Sequence, residues 1–232
     1  MINGLRYGLK KFWSEALSGD LLILSISIIL AVTSISSVSF LGDRLQTSMK
    51  LQASSILGAD LVLRSASKID SKYLDLGIAS NLKTAETITF LSMIISDEDN
   101  LLTSIKTASD AYPLRGELII VDFDGSPIKH SGNPPSGYLW IEKKVAETLQ
   151  LKKLDEVSIG NKVFKIDGII KDYPDRNSSF VGFYPIAIAN IVDLEEMGVV
   201  QTGSRVVYRY LFSGSKKNLG LFTEQLEEIP SD

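Results

Sequence analysis

LLILSISIILAVTSISSVSFL, residues 21–41, contains no charged residue and lies between Asp20 and Asp43. As an α-helix rising about 1.5 Å per residue, a run of this length covers roughly 30 Å, the thickness of a bilayer's hydrocarbon core. Its thirteen Leu, Ile, Val and Phe residues favour insertion, so the run predicts a transmembrane helix over 21–41. The alternatives are a buried core helix and a cleavable signal peptide, for which Ser37-Val38-Ser39 has the form of a cleavage site. The apolar run is longer than either of these usually contains.

Small residues form a stripe along this predicted helix. Ser27, Ala31 and Ser34 are spaced at i, i+4 and i+7, which places them on one side of the helix. Small residues let helix backbones approach closely in a bilayer, where lipid tails supply no hydrophobic force between helices. We expect the stripe to pack against other transmembrane helices. A lone anchor that tolerates scattered serines is the alternative.

The residues before the span have an amphipathic helical pattern. The apolar positions are Ile2, Leu5, Leu9, Phe12, Trp13 and Leu17. This pattern predicts an interfacial helix over 1–20, although it would also suit packing on a cytoplasmic partner. Residues 1–20 hold three Lys or Arg residues against two in residues 42–61, and this difference favours a cytoplasmic N-terminus.

The helical rhythm continues beyond the span through Leu45, Met49 and Gln52 as far as Gly58, a typical helix stop. It predicts a stalk helix over 42–58. Residues 59–232 alternate between β-branched runs and short helical patterns, which predicts an α+β domain. The predicted strands and apolar runs are 59–64, 88–95, 101–107, 117–121, 138–141, 157–159, 163–170, 181–189 and 205–212; the predicted helices are 71–82, 142–149, 191–197 and 219–229.

The composition excludes several classes of function. The net charge of −4 over 232 residues offers no general basic surface, so we do not expect a nucleic-acid partner. The chain has no cysteine, and it therefore has no disulfide, thiol nucleophile or Cys-based zinc site.

The motifs for catalysis and metal binding are incomplete. Residues 198–205, GVVQTGSR, have the glycine spacing of a phosphate-binding loop but lack its lysine. Residues 122–125, DFDG, begin like a calcium loop, but the glycine comes too early and no glutamate follows at the twelfth position. His130 has no second histidine and lies among Gly and Pro residues, so we expect a solvated side chain. We predict no catalytic residue, metal site or cofactor, and a protein that is not an enzyme.

Several short motifs carry a family resemblance. They are LGADLVLRS at 57–65, AYPLRGEL at 111–118, DEVSIGNKVFKIDGIIKDYPD at 155–175 and GSRVVYRY at 203–210. Together with the order of interfacial helix, serine-rich span and stalk, they resemble ABC transporter permeases of the FtsX/MacB class, in particular its YbbP-type branch. In that class the Gly-Ala-Asp strand opens a periplasmic core domain. The resemblance implies such a MacB-like mixed α/β domain over 59–232, with a small β subdomain near 137–175. Within that segment the residues themselves predict a hairpin that turns at Gly160-Asn161.

The resemblance also implies a function. It indicates a permease subunit of the bacterial inner membrane that transmits movement to its periplasmic domain when a separate cytoplasmic ATPase hydrolyses ATP. Further implied partners are the remaining permease segment or a second permease copy, and a periplasmic esterase-like protein, with a hydrophobic or lipid-like cargo. Such permeases continue into further transmembrane helices, so we expect an N-terminal fragment, or the product of a truncated gene, with an incomplete domain.

The motifs supply candidate residues for holding the domain together or contacting a partner: Gly58, Asp60, Arg64, Ser204, Arg205, Arg209 and Tyr210. The leading alternative function is a periplasmic binding or adaptor protein with a single membrane anchor and no ATPase. A membrane-anchored hydrolase is disfavoured because the nucleophile and metal motifs are missing.

Overall fold

The computed structural model describes residues 19–97, 99–130, 132–176, 183–201 and 203–227. The predicted interfacial helix over 1–20 lies almost entirely outside these ranges. The chain divides into two units between Leu51 and Gln52.

The first helix, α1, runs from Gly19 to Leu57 and includes both the predicted span and the predicted stalk. Within the described residues, Leu22–Gln46 is the one helical segment long and apolar enough to cross a membrane. Side chains from Ile23 to Gln46 are exposed, and a helix whose apolar side chains lack protein cover suits a lipid environment. A mixed α/β domain follows α1, which confirms the predicted fold class.

The domain contains nine strands and four α-helices among the described residues. The strands are β1 Leu61–Ser65, β2 Lys83–Ile95, β3 Asn100–Ala108, β4 Ile119–Val121, β5 Tyr138–Glu142, β6 Glu156–Ile159, β7 Lys162–Asp172, β8 Ile186–Asn190 and β9 Val206–Ser213. The helices are α2 Lys72–Ala79, α3 Lys143–Thr148, α4 Leu194–Met197 and α5 Lys216–Glu227, and a 3-10 turn covers Ile191–Asp193.

These strands form one mixed sheet. Its order is β1-β9-β2-β3-β8-β5-β7-β4, and β6 pairs with β2 and β7. The β3/β8 and β5/β7 pairs are parallel and the other pairs are antiparallel. The segment 137–175, predicted as a small β subdomain, contributes β5, β6 and β7 to this same sheet, because β5 also pairs with β8 and β6 with β2.

The sheet has a helical face, to which α2 to α5 contribute. Phe90, Ile105 and Ile141 pack there with Val145 of α3. Tyr210 and Phe212 of β9 pack on the same side with Phe222 of α5. Because side chains alternate along a strand, the residues between these positions belong to the opposite face.

Loops cover part of that opposite face, which we call the loop face. Tyr112 and Leu114 pack on Ala85 and Leu211. Further along the sheet, a cluster of β4, β5, β7 and β8 residues packs with the half-buried side chains of Ile128 and Tyr173. The chain before β5 therefore folds back over the sheet without forming a helix there.

The predicted elements are present with shifted bounds. The hairpin at Gly160-Asn161 is confirmed by the antiparallel pairing of Ile159 with Lys162. Strand β2 begins at Lys83 rather than at residue 88, because Lys83–Phe90 pair with β9. Strand β4 is shorter than predicted, at Ile119–Val121, and part of the predicted run 181–189 lies outside the described residues.

Candidate coupling site at the start of the domain

Gly58 connects α1 to the sheet. It follows Leu57, the last residue of α1, and has a positive φ of 73°, the left-handed conformation that commonly ends helices at glycine. Its carbonyl oxygen accepts hydrogen bonds from the backbone N–H groups of Leu114, at 3.0 Å, and Arg115, at 2.9 Å. A Cβ atom added at Gly58 would lie 3.6 Å from Pro174 and 3.7 Å from Tyr112. The first residue after the helix is thus packed against two loops.

Asp60 ties the same segment to two other parts of the chain. Its carboxylate accepts hydrogen bonds from Arg115 Nε, at 3.0 and 3.1 Å, and from an Arg115 terminal nitrogen, at 2.8 Å. It also accepts from Ser213 Oγ, at 2.8 Å, and from the Gly214 N–H, at 3.2 Å. Burial by itself raises the pKa of Asp60, but these hydrogen bonds outweigh it and leave the pKa below its usual value. Asp60 is therefore held ionised at neutral pH.

A second carboxylate, Asp175, lies at the centre of a buried cluster. Lys106 Nζ of β3 and an Arg209 terminal nitrogen of β9 each lie 2.6 Å from one of its oxygens. The Tyr112 hydroxyl donates to Asp175 at 2.9 Å. All four residues of this Asp175 cluster are at most 5% exposed, so the charges act in a medium of low dielectric constant.

Burial and charge together set the protonation preferences of this cluster. Burial lowers the pKa of Lys106, whereas the charge of Asp175 and its hydrogen bond to Lys106 oppose that change. Burial and then Asp175 raise the pKa of Tyr112 well above its usual value. The Lys106 ammonium also lies 5.3 Å from the Tyr112 ring centre and 5.0 Å from the Tyr173 ring centre, within the range of cation–π attraction.

Gly58 and Asp60 with their hydrogen-bond partners form what we call the junction, and it is contiguous with the Asp175 cluster. Tyr112 belongs to both, since its ring lies beside Gly58 and its hydroxyl bonds Asp175. Pro174, which contacts Gly58, directly precedes Asp175. Gly58 is thus connected to β3 and β9 through Tyr112 and Asp175, because Asp175 binds Lys106 of β3 and Arg209 of β9. Because the cluster is closed to solvent, it is suited to holding segments together rather than to binding a substrate.

The structure brings together some of the residues predicted from the motifs. Gly58, Asp60 and Arg209 lie in the junction or the Asp175 cluster. Tyr210 points to the helical face, where its hydroxyl donates to the Ile69 carbonyl oxygen at 3.0 Å. Arg64 is exposed and pairs in register with Arg209.

The other predicted residues lie apart from the junction. Ser204 Oγ accepts the Gln201 N–H at 3.0 Å, and Arg205 is exposed. On α1 the stripe residues Ser27, Ala31 and Ser34 and the stalk residues Leu45 and Met49 are exposed. The side chain of Gln52 lies outside the described residues, and the packing roles of these α1 residues stay predictions.

Three residues of the Asp175 cluster were not singled out from the sequence. Lys106 lies in a strand between buried Ile105 and Thr107, and a lysine inside such an apolar run is a usable signal of a buried ion pair. Tyr112 and Asp175 lie within the family motifs, but nothing local shows that they meet.

His130 differs from the expectation of a solvated side chain. It is half-buried, and its ring packs edge-on against Trp140 with 4.8 Å between ring centres. Its Nε2 lies 2.8 Å from the Leu118 carbonyl oxygen and its Nδ1 lies 3.1 Å from that of Gly132. The fold of the loop over β5 covers the ring, which the loop's Gly and Pro content did not indicate.

Comparison with known proteins adds a relative. No family model matches the chain. The chain is 27% identical over 213 residues to the uncharacterized ABC transporter permease YbbP of Escherichia coli (strain K12), which covers 90% of this chain and 25% of that protein. The chain thus spans about a quarter of the length of this curated relative.

Solved structures with some likeness include two extracytoplasmic domains. One is the extracellular domain of the noncanonic ABC-type transporter YknZ from Gram-positive bacteria, at 12% identity and a TM-score of 0.47, covering 68% of this chain and 79% of that one. The other is the periplasmic region of MacB from Actinobacillus actinomycetemcomitans, at 8% identity and a TM-score of 0.48, covering 78% of this chain and 88% of that one. The sequence similarity to YbbP, over nine tenths of the chain, confirms the resemblance to FtsX/MacB-like ABC transporter permeases of the YbbP type.

Proposed function

We propose that the chain is part of the permease subunit of an ABC transporter, in which a separate cytoplasmic ATPase drives movement of the domain that follows α1. The observation that carries this proposal is the similarity to YbbP over 90% of the chain. The apolar helix supports it, because a permease must be anchored in the membrane.

We place α1 across the inner membrane with the N-terminus in the cytoplasm and the domain outside it. The excess of one basic residue before the span supports this orientation. The remaining permease segment, or a second permease copy, would pack on the stripe of small residues Ser27, Ala31 and Ser34.

The junction supplies a route for movement to reach the domain. A shift of α1 at Leu57 acts directly on Gly58, because the two are adjacent and Gly58 is bonded to Leu114 and Arg115. The Asp60 carboxylate carries the same displacement to the end of β9 through Ser213 and Gly214. The Asp175 cluster then couples the loops that contain Tyr112 and Asp175 to β3 and β9, so that they move together.

The cargo in this proposal is hydrophobic or lipid-like, and an esterase-like protein outside the membrane assists in handling it. Only the YbbP-type resemblance supports this finer assignment.

Affinity capture tests the permease proposal. The native gene product, tagged and recovered from its own membranes in mild detergent, should bring down an ABC ATPase in near-stoichiometric amount, and the eluate should hydrolyse ATP. The control is the same tag on an unrelated inner-membrane protein with one span. Recovery without any ABC ATPase would contradict the proposal and favour an anchored binding or adaptor protein.

A further inference from the structure

A cavity of about 570 Å³ lies on the helical face, between α3 and the turn that follows β4. We call it the α3 pocket. Its volume is typical of small-molecule sites, which occupy about 300–1,000 Å³. Its apolar floor comes from four parts of the chain: Val121, Phe123, Ala146, Leu151 and Ile169. All five belong to the main hydrophobic core or pack against it, so the folded core holds the floor in place before any ligand arrives.

Gln150 brings a polar side chain to the pocket at a conformational cost. It follows Leu149, the C-cap residue of α3, and has a positive φ of 51°. Glycine is the usual residue in this left-handed position after a helix, because a side chain there is sterically disfavoured. The chain thus carries a side chain where glycine would fit better. The carboxamide of Gln150, which can both donate and accept hydrogen bonds, belongs to the lining of the α3 pocket.

The pocket also has one charge of each sign that is not used in an ion pair. The other charged lining residues are paired, Asp122 with Lys153 at 2.6 Å and Lys143 with Glu147 at 3.3 Å. Within the described part of the chain, neither Lys152 nor Asp124 forms an ion pair. Hydrogen bonds from the hydroxyl and the N–H of Ser126 hold the pKa of Asp124 below its usual value, so this carboxylate is ionised at neutral pH. Lys152 follows α3 whereas Asp124 lies in the turn after β4, so the two charges come from different walls.

We propose that the α3 pocket binds a small zwitterion with an apolar body, namely an apolar amino acid or dipeptide. The apolar side chain of the ligand lies on the floor, its carboxylate binds Lys152 and its ammonium group binds Asp124. The carboxamide of Gln150 bonds a polar group of the ligand between these two charges. This proposal goes beyond the permease function, because binding requires neither an ATPase nor a lipid-like cargo. A failure to bind the zwitterion would therefore leave the capture of an ATPase unaffected.

The charges of the lining disfavour other ligand classes. A phosphate-bearing ligand would meet three carboxylates, those of Asp122, Asp124 and Glu147, and like charges in contact oppose binding. A wholly apolar ligand would cover Lys152 and Asp124 without giving either a partner, which costs free energy. A ligand with both charges avoids both penalties.

Titration calorimetry of the full chain in detergent micelles tests the ligand class with leucine and leucyl-leucine as probes. Binding of either supports the proposal, and tighter binding of leucyl-leucine assigns the pocket to peptides rather than to free amino acids. Serine has both charges without the apolar body and should bind about tenfold more weakly than leucine. N-acetylleucine and leucinamide each lack one charge and should bind about fivefold more weakly. Absence of binding by both probes at millimolar concentration, or equal binding of serine and leucine, would overturn the proposal.

Substitutions assign each charge of the ligand to its residue. Lys152→Met should weaken leucine binding about fivefold but leave the binding of leucinamide, which has no carboxylate, unchanged. Asp124→Asn should likewise weaken leucine but not N-acetylleucine, which has no ammonium group. The matched control is Lys144→Met, an exposed lysine of α3 outside the pocket lining, which should bind leucine as the unsubstituted chain does. Equal weakening of leucine and leucinamide by Lys152→Met would contradict the assigned orientation and overturn the proposal.

Gln150→Gly separates binding from folding. Because glycine suits the positive φ at this position, the variant should unfold at a denaturant concentration equal to or higher than that of the unsubstituted chain. It should nevertheless bind leucine more weakly, since the carboxamide is lost from the pocket. Unchanged leucine binding by this folded variant would overturn the role of Gln150 in the site.

Discussion

At the residue scale, Asp60 gives the junction a dependence on pH. Its pKa in the folded chain is below the ordinary value of 3.8, so its contribution to stability is complete above that value. The contribution is lost as the pH falls through the lower pKa of the folded state. Arg115 is half-exposed, so solvent and salt weaken its share of the interaction.

We therefore expect Asp60→Asn to lower the free energy of unfolding at pH 7 and to match the unsubstituted chain in strongly acidic solution. Denaturant unfolding of the full chain in micelles between about pH 2 and 7 measures the difference. Asp97→Asn, at an exposed carboxylate, is the matched control and should give a small difference at all pH values. A loss from Asp60→Asn that stays constant with pH would show that the carboxylate's charge does not stabilise the junction.

At the element scale, the stripe on α1 determines how this helix can associate. Ser27 Oγ donates to the Ile23 carbonyl oxygen and Ser34 Oγ to that of Leu30, each at 2.8 Å. Because these hydroxyls are satisfied within the helix, the stripe presents small surfaces without unpaired donors to a lipid or a neighbouring helix. Close packing, rather than a specific polar contact, is the interaction that this surface favours.

Replacing both Ser27→Leu and Ala31→Leu should leave membrane insertion intact, since leucine inserts more favourably than serine. It should reduce co-purification of the remaining permease about fivefold, which corresponds to a loss of about 1 kcal/mol of helix association. Quantitative recovery from native membranes is the measurement. The control is Ile28→Leu with Val32→Leu, an equally spaced pair on another side of α1. Unchanged recovery with the stripe variant would refute packing through the stripe.

At the scale of the whole molecule, the Asp175 cluster joins parts of the chain that are far apart in sequence. Lys106 and Asp175 are separated by 69 residues and Arg209 follows Asp175 by 34. The cluster connects two strands of the sheet with the loops that surround Gly58. Removing its shared carboxylate leaves Lys106 and Arg209 buried without that anion, a change that commonly costs 3 kcal/mol or more.

We expect Asp175→Asn to lower the free energy of unfolding by about 3–5 kcal/mol. Asparagine tolerates the positive φ of 61° at this position, so the backbone is retained. Lys106→Met should cost less, because Asp175 keeps its contact with Arg209. Fluorescence of buried Trp140 in a Trp13→Phe background reports unfolding of the full chain. Losses within about 0.5 kcal/mol, the usual range for surface substitutions, would show that the cluster does not stabilise the fold.

The sequence alone predicted the local elements of this molecule. The apolar helix follows from an uncharged run as long as a bilayer is thick, and the hairpin at Gly160-Asn161 follows from alternation on both sides of a turn. Asp60 and Arg209 emerged as candidates because they lie in family motifs. These features depend on the order of neighbouring residues, which a sequence displays directly.

Only the tertiary structure decided which strands pair and which charges are buried together. The parallel pairing of β3 with β8, the start of β2 at Lys83 and the meeting of Lys106 with Asp175 all require contacts between distant segments. Long-range pairing depends on how the entire sheet buries its two faces, and no short window of sequence contains that information.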